Sequence, residues 1–277
     1  KIAAPYPFER MMQLKKWKFR DSNFSPDFPT NVEKAEYFYR LSGRGGTFDG
    51  VVAINATVLN DILELTGPIT VSGTEFNSSN GFLKLEEVVE KKYILDPELD
   101  TQNRKLIMKT MTPIIIDKLF QLGNISKVAN LAHEELRNKN IQINFSDSSL
   151  QSLISSVYWD GKVATDWGGD FLMVVDANMG ALKTDYYIKR SINYEVDFNG
   201  EKPIATLTMK YQNTAPYGDW RTSDYHSYMR IYAPQGSTFL ERQMISPPIT
   251  RDEFNKTYFG SICHVLIGGE TNVMIKY

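Results

Sequence analysis

Cysteine is almost absent from this chain of 277 residues: Cys263, within the apolar run SICHVLIGG, stands alone. A single cysteine excludes an internal disulfide. Its apolar surroundings mark a small buried hydrophobe, and the count leaves the redox compartment open. Histidine is scarce too. His133, His226 and His264 lie far apart in the sequence and form no HxxxH pair, so no zinc centre is expected. No apolar run approaches the roughly 18 residues of a membrane-spanning helix. Charge of one sign is missing as well: the formal net charge is -2, which argues against a nucleic-acid partner. There is no GxGxxG, Walker or GxSxG sequence and no D-x-D-x-D-G calcium loop. SGRGGTFDG follows a helical pattern and reads as a helix stop and turn. Internal repeats and low-complexity segments are also lacking.

What remains is an ordinary globular composition, 42% hydrophobic and 23% charged, with a high aromatic content of 12%. Many Tyr, Asn and Thr point to β-rich surfaces. The first part alternates. PTNVEKAEYFYRL reads as a helix with a Thr30–Glu33 capping box and Val32, Ala35, Phe38 and Tyr39 on one face. FDGVVAIN reads as a buried strand, ATVLNDILELTG as a helix closed by Gly67, and PITVS as a short strand. Further helices are predicted over FLKLEEVVEKKYIL, over TQNRKLIMKTMTPIIIDKLFQLG (capped by Thr101 and kinked at Pro113), over ISKVANLAHEELRNKN (capped by Ser126) and over DSSLQSLISSVYW, with IQINFS as a strand between the last two.

From about Asp170 the helical period stops. DFLMVVDAN, DYYIKRSINYEVDF, PIATLTMKYQN, SYMRIYAPQGSTF and SICHVLIGGETNVMIKY read as strands separated by polar turns. The expected fold is therefore an α/β domain, a mixed sheet with flanking helices, over residues 1–165. An antiparallel β-sandwich-like domain follows over 166–277. Lys1 in place of an initiator Met indicates a piece of a longer protein, with any signal peptide or membrane anchor outside it.

The run FRDSNFSPDFPTN concentrates polar groups and prolines ahead of a helix. It reads as a stiff loop pinned by Phe24 and Phe28 that holds Arg20, Asp21, Asn23 and Asp27 beside a helix N-terminus. Such a loop suits a preorganised anion or metal-phosphate site. It equally suits a structural corner in which Asp and Asn satisfy backbone donors. Arg104 and Lys105 open a long helix, where cations oppose the dipole but can grip an anion together with free N–H groups. Asp176, Asn178, Lys183 and Asp185 read as a polar turn between strands. Trp159, Trp167 and Trp220 with Tyr217 and Tyr225 read as packing residues ahead of a sugar-stacking surface.

FRDSNFSPDFPTNVEKAEYFY, DGVVAINATVLNDILELTGPITV and NRKLIMKTM, with the later DFLMVVDANMGALKTDYYIKR and YMRIYAPQGS, resemble a bacterial family catalogued as domain of unknown function 4012. That resemblance implies an extracytoplasmic protein held to the membrane by segments outside this chain. The order of elements is also similar to the LytR-CpsA-Psr cell-wall glycopolymer transferases, which bind polyprenyl pyrophosphate with clustered Arg and Asp and use Mg²⁺. Arg20-Asp21 looks like that family's Arg-Asp pair and QNRKLI like its arginine helix. The family's second arginine, one turn further on, is absent here, where Lys105 adjoins Arg104.

The resemblance implies that Arg20, Asn23, Arg104 and Lys105 hold phosphates, while Asp21 and Asp27 hold Mg²⁺ or act as base. Two readings stand. In one, the chain is an envelope protein whose α/β domain binds a lipid-linked or polymeric phosphate, with phosphotransferase activity as an option. In the other, it is a non-catalytic scaffold or adhesion module that binds protein or glycan through its β domain.

Overall fold

The computed structural model describes residues 2–43, 45–91, 94, 105–121, 123 and 125–277. The chain divides into two compact units, one of residues 27–162 and the other of residues 1–26 together with 163–277. The β-rich unit therefore takes the first 26 residues as well as the C-terminal strands, whereas the sequence reading kept residues 1–165 together.

The β-rich unit opens with α1 (Phe8–Met12) and a 3₁₀ turn (Phe19–Asp21). In the other unit, α2 (Phe28–Leu41) is followed by β1 (Gly50–Ile54), α3 (Val58–Thr66), β2 (Ile69–Val71), β3 (Thr74–Phe76) and α4 (Gly81–Glu86), which runs on as a π turn over Glu87–Lys91. Then come α5 (Leu106–Leu119), α6 (Ile125–Arg137), β4 (Ile141–Phe145) and α7 (Ser148–Ser156).

The expected mixed sheet does not form. β1 pairs antiparallel with β4, and β2 pairs antiparallel with β3, as two separate two-stranded sheets. The reason for the second lies in Ser72-Gly73, which both take positive φ (51° and 76°). Two such residues make the tight hairpin that turns β3 back onto β2. Packing comes from Leu63, Ile69, Val71, Phe76, Ile107 and Met111, which α3, the β2–β3 hairpin and α5 bury as one cluster. The fold is thus mixed α/β with small antiparallel sheets. Val52 and Ile54, read as buried, are 55% and 61% exposed. Gly67 ends α3 and Pro113 lies within α5, as the sequence indicates. Thr101, the expected cap of α5, lies outside the described residues.

The remaining strands of the β-rich unit are β5 (Met173–Asn178), β6 (Ile188–Asp197), β7 (Ile204–Asn213), β8 (Tyr225–Pro234), β9 (Glu241–Gln243), β10 (Ile249–Glu253), β11 (Lys256–Val265) and β12 (Glu270–Lys276). They form two four-stranded sheets, ordered β10-β11-β8-β5 and β6-β7-β12-β9, with antiparallel pairing throughout. One cluster fills the space between them. Leu207, Met209 and Tyr211 come from β7 and Val273 and Ile275 from β12, facing Met229 and Ile231 of β8 and Phe259 and Cys263 of β11. Two inner faces contributing alternate residues to one core are the mark of a sandwich. β9 and β10 lie outside the strands expected from the sequence, and their three and five residues are mostly polar and exposed. Cys263 is fully buried, and burial pushes its thiol up to about 12, consistent with an inert packing residue.

Candidate anion-binding site

Period-two alternation decides which residues of β8 face away from the sandwich core. Met229, Ile231 and Ala233 point inward, so Tyr228, Arg230 and Tyr232 share the outer face. The N-terminal segment lies on that face. Phe8 and Tyr228 are buried there with Met179, and Tyr6, Met12 and Phe24 pack around them. Phe24 stacks on Tyr228 at a centroid distance of 6.4 Å, while Tyr6 meets the same ring edge-on at 5.6 Å.

Arg230 sits beside this apolar cushion and is only 3% exposed. Its Nη2 donates to the carbonyl of Phe24 at 2.6 Å, and its Nη1 donates to the Tyr232 hydroxyl at 3.4 Å. The guanidinium carbon lies 4.3 Å from the centre of the Phe24 ring. The buried Nε has no acceptor. Among the described residues no carboxylate is within ion-pair distance of Arg230. The nearest acid along the network is Glu253, which accepts from Tyr232 at 2.9 Å. A guanidinium taken out of water without a counter-charge costs several kcal/mol, and its two Nη hydrogen bonds and the Phe24 ring offset part of that here.

Arg230 lines a cavity of about 410 Å³ together with Arg20, Asp21, Asn23, Phe24 and Asn178. The 3₁₀ turn presents Arg20 and Asp21, and the Trp17 indole fixes its end by donating to the Asp21 carbonyl at 2.8 Å. Arg20 is loosely paired with Asp21 (Nε to Oδ1, 3.6 Å), and its side chain is 67% exposed, so it can swing onto a ligand. Asn23 is exposed. Asp176 also borders the cavity, but its carboxylate is engaged. It accepts from the Tyr211 hydroxyl at 3.0 Å and the Ser227 hydroxyl at 2.9 Å, and it pairs with Arg190. Burial first, and then the Asp176 charge, pushes the Tyr211 hydroxyl well above the ordinary tyrosine range, which keeps it a donor.

The structure thus brings Arg20, Asp21 and Asn23 to one cavity and adds Arg230. Asp27 and Lys105 belong to the other unit. Asp27 is buried and caps α2, accepting from the Thr30 N–H at 3.0 Å and the Thr30 hydroxyl at 2.7 Å. The cap is therefore Asp27, and Thr30, taken in sequence as the cap, is its partner. Lys105 is exposed at the N-cap of α5. Arg104 lies outside the described residues. Asn178 folds the polar turn after β5, accepting from the Gly180 N–H at 2.8 Å and donating to the Leu182 carbonyl at 3.0 Å. Tyr225 is a core residue, which removes it from any sugar-stacking surface.

Two features escaped the sequence. Arg230 sits in YMRIYAPQGS as an ordinary polar position of an alternating strand, and only the alternation itself hints that it shares a face with two tyrosines. His226 and His264 are stacked neighbours on β8 and β11, although 38 positions separate their numbers.

No helix among the described residues is long and apolar enough to cross a membrane. No curated protein and no solved structure matches the chain significantly. Residues 3–90 match the family model described as protein of unknown function (DUF4012), which supports the resemblance to that family over the N-terminal third of the sequence.

Proposed function

We propose that this chain is the extracytoplasmic part of a membrane-tethered bacterial envelope protein whose β-rich unit binds a phosphate-bearing ligand in the Arg20–Arg230 cavity. The envelope setting and the ligand class, a polyprenyl phosphate or phosphate-containing glycopolymer, rest on the resemblance to the DUF4012 family and on the likeness to the LytR-CpsA-Psr transferases drawn from the sequence alone. The phosphate itself is supported by one observation above all: a buried guanidinium with an unused Nε and, among the described residues, no carboxylate in ion-pair range, on the wall of a cavity that also holds the exposed Arg20. Arginine forks match phosphate oxygens, and a ligand anion would supply the missing counter-charge.

Phe8, Met12, Phe24 and Met179 on the same wall suit a ligand with an apolar tail. Asp21 and Asn23 offer oxygens for Mg²⁺ arriving with the phosphate, since Mg²⁺ takes one or two carboxylates and completes its shell with water and phosphate. With Asp27 committed to capping α2, the site reads as a binding site ahead of a transferase centre.

The test is calorimetric titration of the chain with geranyl pyrophosphate and with inorganic pyrophosphate, each with Mg²⁺. Both are expected to bind, the prenylated compound more tightly. Arg20→Ala, an exposed change that leaves the fold intact, and Arg230→Met are each expected to weaken binding at least tenfold. Absence of binding by either probe, or affinity in either variant unchanged from that of the unaltered chain, would overturn the proposal.

A further inference from the structure

β8 and β11 pair in a register that sets His226 directly opposite His264. Both point away from the sandwich core, because their neighbours Tyr225, Cys263 and Val265 are buried in it. The two rings stack with centroids 4.3 Å apart and planes 9° from parallel. Asp224, two residues before His226, completes the group. Its Oδ2 lies 3.4 Å from His264 Nε2, and its Oδ1 is held by the Ile267 N–H at 2.8 Å. One ligand atom from each of the three residues falls within 4.8 Å of the others. The chain has three histidines in all, and two of them meet here against a fixed carboxylate.

We propose that Asp224, His226 and His264 form a binding site for a divalent transition-metal ion, Zn²⁺ by its donor set, with a fourth position open to water or an external ligand. Two imidazoles and one carboxylate are a zinc-type ligand set, whereas Mg²⁺ and Ca²⁺ select all-oxygen shells. Tetrahedral bonds of about 2.0–2.1 Å place donor atoms roughly 3.3 Å apart. The present spread closes to that by χ rotation of the two imidazoles, which are exposed. The carboxylate stays anchored by its backbone bond.

The site is separate from the phosphate reading: its three residues do not line the Arg20–Arg230 cavity. The experiment uses the untagged chain, stripped with chelator, titrated with Zn²⁺ by calorimetry and with Co²⁺ by visible absorption. One ion per chain is expected, with the intense d–d bands of a tetrahedral Co²⁺ site. His226→Gln and His264→Gln, both surface changes, are each expected to weaken binding at least a hundredfold, and Asp224→Asn about tenfold. His133→Gln and Arg230→Met are expected to leave it unchanged, so that loss of pyrophosphate binding and loss of metal binding are told apart. No stoichiometric Zn²⁺ binding, or equal affinity in the His226→Gln/His264→Gln double variant, would overturn the site.

Discussion

Arg230 donates to the main-chain carbonyl of Phe24, 206 residues earlier in sequence, and lays its guanidinium over the ring of the same residue. One side chain of β8 therefore fastens the N-terminal segment to the outer face of the sandwich while, among the described residues, its own charge meets no carboxylate in ion-pair range. Those two facts pull in opposite directions energetically. The hydrogen bond and the cation–π contact stabilise the segment, each by about 1–2 kcal/mol. The unpaired buried charge costs about as much or more.

This balance predicts the behaviour of Arg230→Met in the absence of ligand. Thermal unfolding should shift by no more than the equivalent of about 1 kcal/mol, because the lost donor is offset by removal of an unpaired charge from an apolar site. Phe24→Ala keeps the charge and strips its cover, so it should destabilise by about 2 kcal/mol or more. Arg230→Met unfolding far more readily than Phe24→Ala would mean that the guanidinium is a structural bolt and not a charge awaiting an anion.

Gly260 sets a second prediction on the same face. It lies opposite Arg230 in the β8–β11 register, and a Cβ there would land on the Tyr228 hydroxyl. Tyr228 cannot retreat, being 2% exposed and flanked by Tyr6 and Phe24. Gly260→Ala should therefore lift the ring and the segment above it at a cost of about 1–3 kcal/mol. Limited proteolysis should show earlier cleavage within residues 1–26, and the double variant Gly260→Ala/Tyr228→Leu should recover part of the loss. Unchanged proteolysis would show that the segment does not depend on Tyr228.

Asp27 separates a structural role from a chemical one. Removing its cap by Asp27→Ala should cost about 0.5–2 kcal/mol through fraying of α2, while Asp27→Asn, which still offers an oxygen to Thr30, should cost a few tenths. Pyrophosphate affinity measured by calorimetry should be the same in both variants as in the unaltered chain. A large loss of affinity in Asp27→Asn without loss of stability would return this residue to the ligand site.

Legibility in the sequence followed how local each determinant was. The alternation of Ala205, Leu207, Met209 and Tyr211 against polar neighbours announced β7, and all four side chains are buried. Gly67 announced the end of α3. The start of α2 was read three residues late, because Thr30–Glu33 matches a capping box, while Asp27 followed by Pro29 in the first turn is an equally valid start and is the one observed. Helix–strand alternation suggested a shared sheet, yet β2 returns on itself through Ser72-Gly73. Arg20, Asp21 and Asn23 were legible because one short polar run carries them. Arg230 and the His226–His264 pair were not. Each depends on a strand register or on where a distant segment lies, and neither leaves a trace in spacing.

The tyrosines carry the pH dependence of the β-rich unit. Burial is the first cause that raises Tyr211, Tyr225 and Tyr232 well above the ordinary tyrosine range, with nearby carboxylates adding to it in Tyr211 and Tyr225. All three are no more than 2% exposed. In the unfolded chain they release protons near the ordinary value of about 10. Folded, they keep them. Above that pH the unfolded state binds fewer protons than the native one, so stability is intact below about pH 10 and falls as pH rises, by about 1.4 kcal/mol per pH unit for each such tyrosine. Tyrosinate absorbance from the buried set should then rise cooperatively, together with loss of the β signal. A single phase near pH 10 that includes every tyrosine and leaves the β signal intact would contradict the burial on which the sandwich core rests.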